Sequence, residues 1–324
     1  MNECMEIDKP LISIVMAVYE PNMQWLKEQL LSLEAQTYPN LELIIRDDCS
    51  PTVPFEQIRQ CASECIRSFP YEISRNERNV GSNQTFEWLT QQARGEYIAY
   101  CDQDDVWLPK KLQILEKSIT QTDALLVCSD MYVIDGQGNQ AADSITKVRR
   151  HHVFRSGENL TNCLLVSNFV TGCTMLVKSN FVKTISPFCP YMVHDHYISL
   201  CASIKGEIVS IQQPLIQYRI HGFNQTGILT GVVDKESYET LRIDSLIRRY
   251  SWIQERFSGQ IDVTKHLLWV EARKSNWKKQ KNGKKIMWKY RSFAPLTTMF
   301  EFFAPYMPDL LFEKIINAKK KNWI

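Results

Sequence analysis

Short apolar runs alternate with amphipathic stretches over the first 130 residues. Residues 11–18 (LISIVMAV) are apolar except for one serine, as a strand buried on both faces is. Residues 22–35 place Trp25, Leu26, Leu30 and Leu33 at helical spacing. Leu41–Arg46 is again strand-like and closes on Asp47-Asp48-Cys49-Ser50-Pro51. The pattern predicts a helix over 54–68 and a strand over Tyr71–Arg75. Turn chemistry follows at Asn79-Val80-Gly81-Ser82-Asn83, and Phe86, Leu89 and Ala93 mark the next helix. Glu96–Cys101 reads as a fourth strand and runs into Asp102-Gln103-Asp104-Asp105. Pro109 opens a helix, and Ala124–Ser129 reads as a fifth strand. Such alternation predicts an α/β fold with a mainly parallel central sheet flanked by helices.

After Asp130 the rhythm changes. Residues 136–160 form a long polar excursion that carries Lys147, Arg149 and Arg150. A strand is expected over Phe169–Val177, a helix over His194–Ser203, and short strands over Ile208–Ile211 and Leu215–Ile220. Beyond Gly231 the spacing of Leu241, Ile243, Leu246, Ile247 and Tyr250 is helical. The expected division is one domain over 1–230, with halves near 8–130 and 131–230, and a helical extension over 231–324.

Composition narrows the class. The 324 residues are 44% hydrophobic and 23% charged, which excludes a disordered or fibrous chain. The net charge of +2 hides an asymmetry: Lys274–Ile324 has 12 basic and 3 acidic residues, which leaves the remainder acidic. Ten scattered cysteines without a CxxC pair point to buried free thiols in a reducing compartment. The start of the chain lacks a signal-peptide pattern and no run is long and apolar enough to span a bilayer. The expected location is cytoplasmic, or peripheral on the cytosolic side of a membrane. No P-loop or GxGxxG pattern occurs. His194, His196 and Cys189 match no common zinc spacing.

In open α/β sheets, ligands bind beyond the carboxyl ends of strands. Asp47-Asp48, Asp102/Asp104/Asp105 and Asp195 fall at or near such ends. Carboxylates gathered on one edge repel one another, and a divalent cation or a ligand offsets that repulsion. Hard oxygen donors suit Mg²⁺ or Mn²⁺, which also bridge phosphates.

An ordered series of motifs carries a resemblance. It runs Ser-Ile-Val-Met-Ala-Val-Tyr at 13–19, Gln-Thr-Tyr-Pro-Asn-Leu-Glu-Leu-Ile-Ile at 36–45, and Asp-Asp-Cys-Ser at 47–50. Asn79-Val80-Gly81 and the run Gly95–Trp107 follow. Thr171-Gly172-Cys173, His194-Asp195-His196-Tyr197 and Tyr218-Arg219-Ile220-His221-Gly222 complete the series. The first ~225 residues thereby resemble glycosyltransferase family 2, with the GT-A nucleotide-diphospho-sugar transferase fold.

The resemblance implies roles. Ala17, Val18 and Tyr19 would wall the nucleotide base. Asp47 and Asp48 would accept from base or ribose, and Arg78 would face the base. Asp102 and Asp104 would form the DxD motif, with Asp104 and His221 on a Mg²⁺ or Mn²⁺ ion that holds the donor diphosphate. Asp195 would be the general base of an inverting displacement. Gly172, Cys173, His194 and Trp107 would lie on the acceptor side, and a histidine beside Asp195 could be cationic. Arg219, His221 and Asn224 would form a polar lid over the phosphates, with Gly222 and Gly227 permitting movement. The match looks most like bacterial surface-polysaccharide enzymes, including rhamnosyltransferases. That implies a nucleotide-diphosphate sugar donor and a lipid-linked glycan acceptor. The alternative is a non-catalytic sugar-nucleotide or glycan-binding protein on the same fold.

The tail reads separately. Arg273–Arg291 holds nine basic residues and no acidic one, interleaved with Trp277, Ile286, Met287, Trp288 and Tyr290. Met299, Phe300, Phe302 and Phe303 follow. Basic residues beside large apolar ones suit an anionic membrane surface; packing on the protein or an oligomer contact is the alternative. Nucleic acid is not an expected partner.

Overall fold

The computed structural model describes residues 9–149, 152–221 and 229–321. They pack as two units, one within Met1–Phe188 and Val193–His221, the other within Cys189–Met192 and Gly222–Ile324.

The first unit is built on one nine-stranded sheet. Its strands are β1 (Ile12–Val18), β2 (Leu41–Asp47), β3 (Tyr71–Arg75), β4 (Tyr97–Cys101), β5 (Val106–Trp107), β6 (Leu126–Ile134), β7 (Gln140–Ala142), β8 (Met175–Lys178) and β9 (Ile208–Arg219). The order is β3-β2-β1-β4-β8-β6-β9-β5, with β7 beside β6. β3, β2, β1 and β4 are parallel neighbours. β8 then runs antiparallel to both β4 and β6, so the sheet is mixed beyond its parallel half. β9 returns parallel to β6, and β5 lies antiparallel on β9.

The helices of this unit are α1 (Met23–Glu34), α2 (Phe55–Cys65), α3 (Ser82–Gln92), α4 (Lys111–Thr122), α5 (Ile145–Val148), α6 (Thr161–Val166), α7 (Ser179–Lys183) and α8 (His194–Lys205). Asn22 caps α1 by accepting from the Gln24 and Trp25 N–H groups, and the helix buries Leu26, Leu30 and Leu33. These join Ile12, Ile14, Met16 and Leu43 in the core. Each such side chain contributes about 1.5–3 kcal/mol by leaving water.

Three expected strands differ. The stretch expected over Phe169–Val177 is extended only at β8, because Gly172–Thr174 is a 3-10 turn closed by the Thr174 hydroxyl on the Thr171 carbonyl at 2.7 Å. The two strands expected after Gly206 are one. Pro214 sits opposite Asp130, where the β6 register shifts, so the polar Gln212-Gln213-Pro214 bends β9 without ending it.

The second unit is helical, as expected: α9 (Lys235–Tyr238), a π-helical stretch (Glu239–Asp244), α10 (Ser245–Arg256), α11 (Thr264–Trp277), α12 (Gly283–Lys289), α13 (Pro295–Phe303) and α14 (Asp309–Lys321). Tyr238 stacks on Trp277 at 4.9 Å and meets Phe300 and Phe312, each at 5.7 Å. Among the described residues, no helix is long and apolar enough to cross a membrane.

Candidate active site

Strand register brings the candidate residues together. Val18 lies beside Asp47 and Met16 beside Cys101, so Tyr19, Asp48 and Asp102 leave one edge of the parallel half. The loops there are tied by their own side chains. Asp47, fully buried, accepts from the Ser50 hydroxyl at 2.5 Å and pairs with Arg75 Nε at 3.1 Å. Asp48 accepts from the N–H groups of Val80 and Gly81 at 2.9 and 2.8 Å and from Asn76 Nδ2 at 2.8 Å. Gly81 has φ +85°, a backbone state that L side chains rarely adopt, and this turn lets both N–H groups face Asp48. Asp47 was expected to meet a base or ribose; its enclosure and protein partners make it a frame for the loop instead.

Of the expected base wall, Tyr19 is exposed, Ala17 half-buried and Val18 fully buried in the core. Arg78 is exposed on the turn after β3. Gln103, the middle residue of the DxD motif, was not singled out from the sequence. Its side-chain amide holds the Tyr19 backbone twice, accepting from N–H at 2.8 Å and donating to the carbonyl at 3.0 Å. The end of β1 and the acidic loop are thereby one piece.

β9 closes the far side. Val106 pairs with Gln217 and Trp107 with Ile216, so the residues that end β9 return to the acidic loop. The Arg219 N–H donates to Asp105 Oδ1 at 2.9 Å, and Arg219 Nε donates to the Asp104 carbonyl at 2.8 Å. Arg219 Nη2 pairs with Glu28 at 2.5 Å. Arg219 was expected to reach phosphate, but it is buried and its guanidinium braces the loop. His221 Nε2 lies 2.7 Å from Asp104 Oδ2, and its ring packs 4.7 Å from Trp25. The expected lid residues Gly222, Asn224 and Gly227 lie outside the described residues.

Asp102, Asp105 and the Cys173 thiol each offer a ligand atom, all within 4.8 Å of one another. Loss of surrounding water, then Asp104 and Asp195, pushes Asp102 up to about 7. Burial, then Asp104 and Asp102, holds Asp105 well above the usual carboxylate range. Asp105 Oδ2 is buried without a hydrogen-bond partner.

Beneath this cluster lies a lysine that the sequence pattern hid. Lys111, at the start of α4, is fully buried; its ammonium donates to the Cys173 carbonyl at 2.5 Å and sits 3.0 Å from the centre of the Trp107 ring. Burial pulls it down to about 7, against the opposing charge of Asp105 and Asp102. Trp107 was expected on the acceptor side. It is 2% exposed and shields the lysine rather than lining a pocket.

Asp195 sits in the first turn of α8. Oδ1 accepts from Asn168 Nδ2 at 3.1 Å and Oδ2 from the Gly172 N–H at 3.0 Å. Burial raises it to about 6, while the Gly172 and His196 N–H groups, Arg149 and Asn168 hold it back. Gly172 permits the approach, because a Cβ there would lie 2.8 Å from His194 Nε2. His194 was expected on the acceptor side, where it could be cationic. Instead its ring packs on Phe86 at 4.1 Å and Tyr100 at 5.3 Å, and burial lowers it to about 3, so it is neutral. Gly172 and Cys173 remain at the junction: one holds Asp195, the other touches the Asp102/Asp105 cluster.

The donor set fits a hard divalent cation. Carboxylates at Asp102, Asp104 and Asp105, one imidazole at His221 and an orphaned buried Asp105 oxygen suit Mg²⁺ or Mn²⁺. The Cys173 thiol, which burial pushes well up, stays protonated and is a poor ligand for either ion.

Residues 13–184 match glycosyl transferase family 2. An uncharacterised glycosyltransferase of Methanocaldococcus jannaschii is 29% identical over 248 residues, 73% of this chain and 80% of the relative. One from Nostoc sp. is 26% identical over 66% of each chain. Two solved structures share the fold at 15% identity. S. aureus TarS 1–349 in complex with UDP-GlcNAc has a TM-score of 0.55 over 95% of this chain and 91% of that one. The mannosyltransferase PcManGT of Pyrobaculum calidifontis, in complex with GDP-Man and Mn²⁺, has 0.56 over 97% and 86%. The GT-A-like architecture is therefore shared across the sheet and its helices.

Proposed function

The chain belongs to glycosyl transferase family 2 and is a glycosyltransferase; we propose that it inverts the anomeric carbon as it moves one sugar from a nucleotide diphosphate to a hydroxyl of a lipid-linked surface glycan. The acceptor would be met at the cytoplasmic face of the inner membrane. The observation that carries the reading is the Gly172-Cys173 junction, which joins a single ionisable carboxylate, Asp195, to the acidic DxD edge.

Asp104, His221 and Asp102 would hold Mg²⁺ or Mn²⁺, which when bound offsets charge on the departing diphosphate. Asp195 takes the proton of the acceptor hydroxyl. That oxygen bonds to the anomeric carbon from the face opposite the phosphate, and the bonding pair of the C–O bond leaves with the nucleotide diphosphate. One base suffices and no covalent sugar–enzyme intermediate forms. The Gly172 N–H and Asn168 orient the carboxylate, and Gln103 fixes the β1 end against the acidic loop.

The nucleotide sugars bound by TarS and PcManGT support a sugar-nucleotide donor here. A screen of UDP-, GDP- and dTDP-sugars with Mn²⁺ or Mg²⁺, read by nucleotide release and by the anomer of the product, tests the proposal. An inverted anomer with one donor is expected. Donor binding without turnover on any lipid-linked acceptor would favour the non-catalytic binding protein.

A further inference from the structure

The second unit presents an apolar face that its own core leaves uncovered. On α13, Leu296, Met299 and Phe303 are 63%, 58% and 59% exposed, and they recur at the spacing of one helical face. Trp288 on α12 is 53% exposed and meets Phe302 edge-on at 6.3 Å. Tyr306 and, on α14, Leu310 and Leu311 are exposed as well. Phe300, counted with this group from the sequence, turns the other way and packs on Tyr238 and Phe312.

The charge along α12 and its flanks has one sign, and the exposed Asp309 beside Leu310 pairs with Lys235 at 2.9 Å. Lys279, Lys281, Lys284, Lys285, Lys289 and Arg291 follow one another with no acidic residue between them. Cations lie directly on its rings: Lys284 is 4.7 Å from Phe302 and 4.2 Å from Tyr306, and Arg291 is 4.8 Å from Trp288. The one acid of α13, Glu301, is buried and neutralised by Arg273 at 2.6 Å, so the helix shows no negative charge outward.

We infer that α12, α13 and the residues between them form a docking face for an anionic lipid bilayer, with Leu296, Met299, Phe303 and Trp288 entering the interface and the lysines meeting lipid phosphates. Large exposed apolar side chains ringed by cations match that surface in both parts. A second copy of the chain would bring the same positive charge against itself. This inference does not depend on the donor-site reading, because no residue of the acidic edge takes part.

The test is flotation of the full chain with vesicles of 30% phosphatidylglycerol in phosphatidylcholine, and with phosphatidylcholine alone. Binding to the anionic vesicles at low salt is expected, weakening as salt rises. Lys285→Gln with Lys289→Gln should weaken it by about fivefold for each lysine removed. Leu296→Gln with Met299→Gln and Phe303→Gln should remove binding at high salt while leaving the melting temperature and size-exclusion profile unchanged. Equal binding to neutral vesicles overturns the electrostatic half of the inference. No binding to anionic vesicles at low salt overturns it entirely, as does self-association that the triple variant abolishes.

Discussion

Both units bury charged side chains, and the core of the helical unit and the acidic edge of the sheet treat them oppositely. In the helical unit, Arg273 and Glu301 are both buried and matched. Glu301 Oε2 accepts from Arg273 Nε at 2.6 Å, and Oε1 accepts from Arg273 Nη2 at 2.6 Å and from the Tyr238 hydroxyl at 2.8 Å. Burial alone would lower Arg273, but Glu301 reverses that and holds it above its ordinary value. At the sheet edge, Asp102, Asp104 and Asp105 crowd charges of one sign, with Asp195 near enough to raise Asp102. Among the described residues, the buried Lys111 set against them is itself pulled down to about 7, and the buried Arg219 gives its guanidinium to Glu28 and the Asp104 carbonyl. A buried charge with its complement is architecture. Like charges left without one form a site that an added cation would complete.

The contrast breaks most visibly at Asp195. Asp195→Asn should lower transfer by about 10²–10⁴-fold while sparing donor affinity, because the base meets the acceptor. Its folded value of about 6 lies above the ordinary 3.8. A raised carboxyl favours the protonated native state, so wild-type stability falls through this group as pH climbs from about 4 to about 6. Turnover rises over the upper part of that window, as the base ionises. Melting curves from pH 4 to 8 should show a shallower fall between pH 4 and 6 in Asp195→Asn than in the wild type, the remaining fall coming from the raised Asp102 and Asp105. Equal losses of donor affinity and rate would instead place Asp195 among the donor contacts.

Removing one member of the matched pair should act on stability alone. Glu301→Gln leaves Arg273 buried and uncompensated, at a cost of about 3–5 kcal/mol. Denaturant unfolding should show that loss, while the intact fraction keeps its turnover. An unchanged midpoint would mean that water reaches the pair and that it is not a buried brace.

Lys111 lies between these cases. It pins the turn whose Gly172 N–H holds Asp195, so Lys111→Met should lower kcat by up to about 10²-fold through misplacement of the base. KM for the donor should stay nearly constant, and Lys111→Arg should recover little, because the enclosed site has no room for a guanidinium. A fall in donor affinity with unchanged kcat would show that the lysine serves the diphosphate instead.

The sequence pattern exposes the frame of this site more readily than its bracing. β1, β2 and β4 announce themselves as apolar runs because both faces are covered, and the acidic residues at their ends follow from strand direction. Lys111 and Gln103 act across 62 and 84 positions on the carbonyl of Cys173 and the backbone of Tyr19, which no local spacing reveals. The resemblance places His194 and Trp107 on the acceptor side, yet packing against Phe86 and around Lys111 makes them core. Arg219 looks like a phosphate ligand until Glu28, on α1, is seen to claim it. Glycine at 172 is legible only once His194 and Asp195 are placed beside it.

In the proposed function, the acidic edge is an incomplete charge cluster that a divalent cation and a diphosphate would complete. Calorimetric titration of the full chain with a nucleoside diphosphate, with and without Mn²⁺, and of Asp104→Asn under the same conditions, tests it most directly. Tight binding is expected only when wild-type chain, Mn²⁺ and nucleotide are together, with Asp104→Asn reduced to the metal-free level. Nucleotide binding that is equally tight without Mn²⁺, or unchanged in Asp104→Asn, would contradict it.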